Sequence, residues 1–374
     1  MVTLFLCGDV MTGRGIDQVL SSPSDPELHE SYVRNAGTYV DLAEQVNGPI
    51  VRPASFESVW GAALAELERV APDARIINLE TSVTRSEDYW RGKGIHYRMH
   101  PENVGCLTVA EIDCCVLANN HVLDWGYAGL EETLETVHAA GLLTAGAGLT
   151  SDAAAAPAVI ERGGQGRVLV FGLASETSGC PRAWQAGARR PGIHMTELSE
   201  SAAKRAVRIM EPHKAHRDIV VASIHWGGNW GYNVTREERA FAQLLIDSGV
   251  VDVVHGHSSH HPKGIEVYRN KPILYGCGDF INDYEGISGQ DRFRGDLSLM
   301  YFVDVDPTDG RLASLRATPL RMCRFSLQKV TAADTAWLQR TLDREGGALG
   351  TRIERDSGDS LLVRGGSSVA SRQR

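Results

Sequence analysis

Residues 251–283 read VDVVHGHSSHHPKGIEVYRNKPILYGCGDFIND. The apolar residues Val250, Val251, Val253 and Val254 lead directly into His255, His257, His260 and His261. Turn residues then separate this run from a second one, Pro272 to Gly276. A strand that stops at a cluster of imidazoles suits a metal site, because a rigid element fixes where ligands point. Burying several imidazoles side by side is also costly unless an ion organises them. The rest of the chain is therefore read for what completes that site.

The chain has 374 residues, is 43% hydrophobic and carries a formal net charge of -9. One large domain over 1–325 is expected, followed by a C-terminal helix with short strands packed on it (326–364) and a disordered tail (365–374). The acidic balance and the lack of a basic stripe argue against nucleic acid as the main partner. No stretch approaches the ~20 apolar residues that a membrane span needs. The opening MVTLFLCGDV has no basic segment and reads as a first strand rather than a signal peptide, so a cytoplasmic location is expected. The seven cysteines make no C-x-x-C pair, which predicts core thiols in a reducing compartment.

Strands and helices alternate along the chain. Strands are predicted at Val2 to Leu6, Arg75 to Leu79, Cys114 to Leu117, Leu142 to Ala145, 157–162, 167–173, Asp218 to Ile224, 298–305 and 311–320. Helices are predicted from Phe56 to Leu67 and over 127–139, 196–211 and Thr331 to Leu342. Thr235-Arg236-Glu237-Glu238 has the spacing of a capping box. The stretch Ser21 to Pro53 has little periodicity and reads as a long loop, a lid or substrate wall. At five places a strand empties into polar residues: Asp9, Glu80, Asn120 with His121, His225, and His257 with His260. In α/β folds ligands gather beyond the carboxyl ends of strands, so five such endings can converge.

Singly, each piece has a plain structural reading. Gly8-Asp9 can be a turn, Asn119-Asn120-His121 a loop suited to left-handed backbone, and His225 a packed imidazole with a satisfied hydrogen bond. Together they favour a site for one or two divalent ions. Carboxylate and amide oxygens mixed with imidazole nitrogens suit Mn, Fe, Zn or Co.

In chain order the motifs G-D-V-M-T-G-R, N-L-E-T-S, A-N-N-H, H-W-G, G-H-S-S-H and Y-G-C-G-D-F span about residues 1 to 284. In this order they resemble the CapA proteins of capsule and poly-gamma-glutamate synthesis, a branch of the calcineurin-like metallophosphoesterase superfamily. The resemblance implies an α/β fold, a four-layer sandwich of two mixed β-sheets flanked by helices, with a metal centre at the strand ends. It makes Asp9 a first ligand, Glu80 a bridging carboxylate, Asn120 an amide ligand, and His225, His257 and His260 imidazole ligands. His121 corresponds to the proton donor to the leaving group, and Arg14 is expected to meet an anionic oxygen of the substrate.

The chain departs from the superfamily pattern in places. Asp-x-His is here Asp9-Val10-Met11, Gly-Asp is Asn78-Leu79-Glu80, and Asp279 stands where many CapA proteins have asparagine. The implied activity is metal-dependent hydrolysis of a phosphoester or a gamma-glutamyl-type amide through a metal-bound hydroxide, on an anionic small-molecule or peptide substrate. The alternative is a non-hydrolytic assembly factor for a glutamate-rich polymer or peptide. Gly256, Ser258 and Ser259 predict a bend after His257 that returns His260 to the site. That leaves His255 at the strand end, or satisfied in the core, and His261 behind the ligands or against substrate.

Overall fold

The computed structural model describes residues 1–356 and 360–365. The segment expected to be a disordered tail lies, apart from Gly365, outside the described residues. The first strand runs Val2–Val10, four residues beyond its apolar start, because two neighbours hold its polar end. It pairs in parallel with Ala74–Leu79 on one side and with the short strand Asp279–Ile281, setting Asp9 opposite both Asn78 and Asp279. Gly8 makes the second pairing possible. A Cβ there would stand 1.6 Å from the carbonyl oxygen of Gly278.

These strands belong to a ten-stranded mixed sheet. Its order is Thr351–Arg355, Leu361–Gly365, Leu312–Cys323, Leu297–Val305, Val2–Val10, Ala74–Leu79, Cys114–Val116 and Leu143–Ala145, with Asp279–Ile281 and Ser326–Lys329 paired alongside. A six-stranded mixed sheet has the order Ile265–Tyr268, Lys271–Leu274, Val253–His257, Ile219–His225, Arg167–Ala174 and Ala158–Glu161. Its three central strands are parallel and buried on both faces.

Period-two alternation distributes their side chains between two cores. Val168, Val170, Val221 and Val253 join the first sheet's residues in one core between the sheets. Leu169, Phe171, Val220, Ala222, Ile224 and Val254 face the helices Glu200–Met210 and Arg236–Asp247 in the other. The fold is thus mixed α/β, two large mixed sheets flanked by helices, as the resemblance implies.

Some local expectations change. The apolar series from Phe56 to Leu67 forms two helices, Phe56–Trp60 and Ala62–Val70, because Gly61 between them adopts a φ of 44°. The stretch read as a long loop contains the helix Gly37–Asn47, which buries only Tyr39, Val40 and Ala43. Three positions in eleven leave a faint periodic signal. The capping box at Thr235 and Glu238 is present with both of its hydrogen bonds. All seven cysteines are free thiols, six of them buried. Among the described residues no helix is long and apolar enough to cross a membrane.

Candidate metal centre

All five polar strand endings meet at one edge of the sheets. The strand Val253–His257 ends at His257, and the chain turns at Ser258, whose φ is 101°. The turn carries His260 back to Asp279, with His260 Nδ1 2.8 Å from Asp279 Oδ1. His225 closes the neighbouring strand in register with His257, and their Nδ1 atoms lie 2.8 Å apart. The other nitrogens of these two rings are engaged from behind. His257 Nε2 meets Ser223 Oγ at 2.9 Å, and His225 Nε2 meets Asn120 Oδ1 at 3.0 Å. Such contacts orient a ring so that one chosen nitrogen faces the site.

Two groups of ligand atoms result, Asp9 with His225 and His257, and Asp9 with His260 and Asp279. In each group the atoms lie within 4.8 Å of one another and the residues are buried. Asp9 is common to both, whereas the resemblance put the bridging carboxylate at Glu80. Glu80 stands beside them, 3.9 Å from His225 Nδ1 and 3.8 Å from His121 Nε2. Asn78 donates to both Asp9 Oδ1 (2.8 Å) and Glu80 Oε2 (3.1 Å), which holds the two carboxylates together. Among the described residues no lysine or arginine lies within ion-pair distance of Asp9, Glu80 or Asp279.

The electrostatics follow from that deficit. Burial, then repulsion from Asp279, raises the Asp9 carboxyl to about 7. Glu80 is pushed well above the carboxylate range by burial and by Asp9. Burial holds His225 and His257 well below the usual imidazole value, hence neutral. For His260 burial also opposes the charge, but Asp279 outweighs it and the ring is raised. A crowd of carboxylates facing neutral imidazoles is a donor set in want of positive charge, and its O/N chemistry fits a divalent ion.

Beside these groups, His121 Nδ1 sits 2.6 Å from Asp124 Oδ2, leaving Nε2 toward Glu80. Lys93 braces the pair, with Nζ 2.5 Å from Asp124 Oδ1 and hydrogen-bonded to the Asn120 carbonyl. Burial pushes His121 down to about 4 against the pull of Asp124.

Arg14 requires a correction. Its guanidinium does not stand open for a substrate oxygen. Nε and Nη2 bind Asp283 at 3.0 and 2.6 Å, and Nη1 binds Glu30 and Tyr39 at 3.0 Å each. The rings of Tyr39 and Tyr97 cover it at 3.8 and 4.3 Å. Only 3% exposed, Arg14 latches the 21–53 segment onto the site.

His255 is satisfied within the core, by Ser223 Oγ at 3.0 Å and the Cys7 carbonyl at 2.7 Å. His261 accepts from the Gly231 amide at 3.0 Å and stacks on Phe293. Sequence reasoning missed Asp279, Asp124 and Lys93 as members of the site. Asp279 had a signal, since it follows an apolar run as Asp9 does. Asp124 is three residues beyond His121. Lys93 lies in a stretch without pattern.

Comparison with known proteins follows the same lines. A family model described as bacterial capsule synthesis protein PGA_cap matches residues 3–284. The chain is 45% identical over 359 residues to a probable polyglutamine synthesis accessory protein of Mycobacterium tuberculosis, covering 94% of this chain and 93% of that one. It is 24% identical over 360 residues to the capsule biosynthesis protein CapA of Bacillus anthracis, covering 93% and 75%. With the PGA biosynthesis protein CapA of Bacillus subtilis it shares 27% identity over 260 residues, covering 68% and 65%.

Proposed function

Since the chain belongs to the bacterial capsule synthesis family PGA_cap, we propose that it is a metal-dependent hydrolase that cleaves a gamma-glutamyl-type amide or a phosphoester in the making of a glutamate polymer. The observation that carries this reading is the pair of buried ligand groups sharing Asp9, with His121 poised beside them. Asp9, His225, His257, His260 and Asp279 would hold one or two divalent ions, with Glu80 and Asn120 at their edge. A bound ion supplies Lewis acidity toward a phosphoryl or acyl oxygen and a nucleophile from water near neutral pH.

The chain's own residues do the rest. Asp124 occupies His121 Nδ1, so Nε2 of the neutral ring is the atom that takes up the proton released by the attacking water and passes it to the departing oxygen or nitrogen. Lys93 fixes Asp124, and through it the ring's direction. Asn78 keeps Asp9 and Glu80 at a constant separation. Arg14 holds the wall formed by the 21–53 segment, with Glu30 and Tyr39 as its grips.

A second reading has a specific support, the accessory role in the name of the mycobacterial relative. It takes the same centre as a carboxylate-binding device in a polymer assembly, without turnover. Metal analysis of the purified protein, followed by assays on an aryl phosphodiester and a gamma-glutamyl anilide with and without Mn, separates the two. Metal-stimulated turnover that His121→Ala abolishes supports the hydrolase. Bound metal without turnover on either substrate supports the assembly factor.

A further inference from the structure

A cavity of about 540 Å³ adjoins the metal centre, lined by Thr177, Gly227, Trp230, Glu237, Glu238 and Lys263 among others. Its volume suits a small ligand. The two sites share walls. The loop after His225 lines the cavity through Gly227 and Trp230, and on its other side it is tied to the centre. There Ser258 Oγ donates to the Gly227 carbonyl at 3.2 Å, and the His260 amide donates to Asn229 at 3.0 Å. Thr177 Oγ1 receives the Gly227 amide at 3.0 Å, and Ser175 in the same loop donates its amide to the His225 carbonyl.

Lys263 is the unusual member of this lining. It is 4% exposed, yet its ammonium has a single hydrogen bond, 3.4 Å to the Asn233 carbonyl, and no carboxylate at ion-pair distance among the described residues. An ammonium carries three donors, and a buried charge so thinly partnered is costly. The fold treats its other buried lysine differently, giving Lys271 both Asp252 Oδ1 at 2.7 Å and the Val251 carbonyl at 2.9 Å. Glu238, 3% exposed, spends Oε2 on the Thr235 amide at 2.7 Å and turns Oε1 toward Gly227. Gly227 must be glycine for this approach. A Cβ there would come within 2.4 Å of Glu238 Oε1 and 3.4 Å of Lys263 Nζ. One cavity therefore offers a buried ammonium and, from Glu237 and Glu238, carboxylates. That is the complement of a group bearing a carboxylate next to an ammonium.

We propose that this cavity receives the free α-amino-acid end of a γ-linked glutamyl chain, its α-carboxylate on Lys263 Nζ and its α-ammonium toward Glu237 and Glu238. A γ-linked chain keeps both α-groups on its amino-terminal unit, so the cavity reads that end while the rest of the chain extends past the shared loops toward the centre. The choice of a glutamyl chain rests on the function proposed above. The recognition of the charge pair does not.

Calorimetric titration of the full chain tests it with L-glutamate, glutarate (no ammonium), 4-aminobutyrate (no α-carboxylate) and γ-glutamylglutamate. L-Glutamate and the dipeptide should bind, and loss of either charged group should weaken binding about tenfold or more. Lys263→Met should bring L-glutamate down to the level of 4-aminobutyrate with metal content unchanged. Equal binding of the three small probes by the wild type, no binding of any of them, or full-strength binding of L-glutamate by Lys263→Met would overturn the proposal. The ligand series needs no variant, so it decides the matter even if Lys263→Met fails to fold. Asp9→Asn should lose metal but keep this selectivity. Selectivity in a protein that hydrolyses nothing would remove the hydrolase reading and leave the cavity assigned.

Discussion

The same two strands carry buried charge at both ends, and the ends are built on opposite plans. Where Ile219–His225 begins, Asp218 is gripped by Arg167, with Nη2 2.5 Å away. Where Val253–His257 begins, Asp252 takes Lys214 at 2.8 Å and Lys271 at 2.7 Å. Where the strands finish, His225 faces Glu80, His257 faces Asp9 and His260 in the turn beyond faces Asp279, and among the described residues no lysine or arginine is in ion-pair range of these carboxylates. The chain thus supplies cations to carboxylates whose task is to hold the fold, and withholds them from two groups of carboxylates and imidazoles that share Asp9, each with its ligand atoms within 4.8 Å of one another. Buried charges left without partners cost several kcal/mol each. A site that keeps them is shaped for an incoming cation rather than for stability.

The sharpest contrast is between chemistry and folding at the finishing edge. His121→Ala should cut turnover by about 10²–10⁴-fold while leaving metal content and melting temperature near the wild type. Equal metal loss in His121→Ala and His257→Ala would make His121 a ligand and blur the division. At the beginning edge, Asp252→Ala strands two ammonium groups and should lower unfolding stability by about 3–5 kcal/mol in urea titrations, with metal content of the folded fraction unchanged. Asp9→Asn in metal-free protein should do the reverse, leaving stability the same or higher, since it removes a repelled carboxylate. A destabilised Asp9→Asn would show that both edges are structural.

A smaller effect is expected at Asp279. Asp279→Asn keeps the volume but weakens the hold on His260, and should reduce metal affinity about 10–100-fold in competition with a chelating dye. Unchanged affinity would confine the centre to Asp9, His225 and His257.

The smallest effect concerns pH at the beginning edge. Burial raises the Asp218 carboxyl, but its hydrogen bonds from Arg167 prevail and hold it below the usual value. A depressed folded pKa gives stability that is present above the unfolded value, about 3.9, and is lost as pH falls through the folded one. Asp218→Asn should therefore flatten the acid limb of the stability profile below about pH 4. A variant with the wild-type acid limb would place the loss elsewhere.

How much of this could be read in the sequence depended on how local each signal was. Apolar runs ending in Asp9, Asn78 to Glu80, His225 and His257 announce themselves within ten residues, because strand burial and the turn that follows are local. The bend at Ser258 was readable from Gly256, Ser258 and Ser259 for the same reason. The partnership of Asp9 with Asp279 was not, since it arises from a parallel pairing across 270 residues of chain that Gly8 alone permits. Arg14 misled because its partners, Glu30 and Asp283, come from a weakly patterned helix approach and from the far end of the motif series. Lys93 carried no signal. Its place depends on where the loop before His96 settles against Asp124.

A metal centre at the finishing edge requires that the edge bind a divalent cation through Asp9 and His257 but not through His121. Metal content by mass spectrometry, on protein loaded with Mn and then desalted, measures this directly for the wild type, Asp9→Asn, His257→Ala and His121→Ala. One or two equivalents in the wild type and in His121→Ala, with little or none in Asp9→Asn and His257→Ala, is the predicted pattern. A wild-type protein that retains no metal, or an Asp9→Asn protein that retains as much as the wild type, would contradict it.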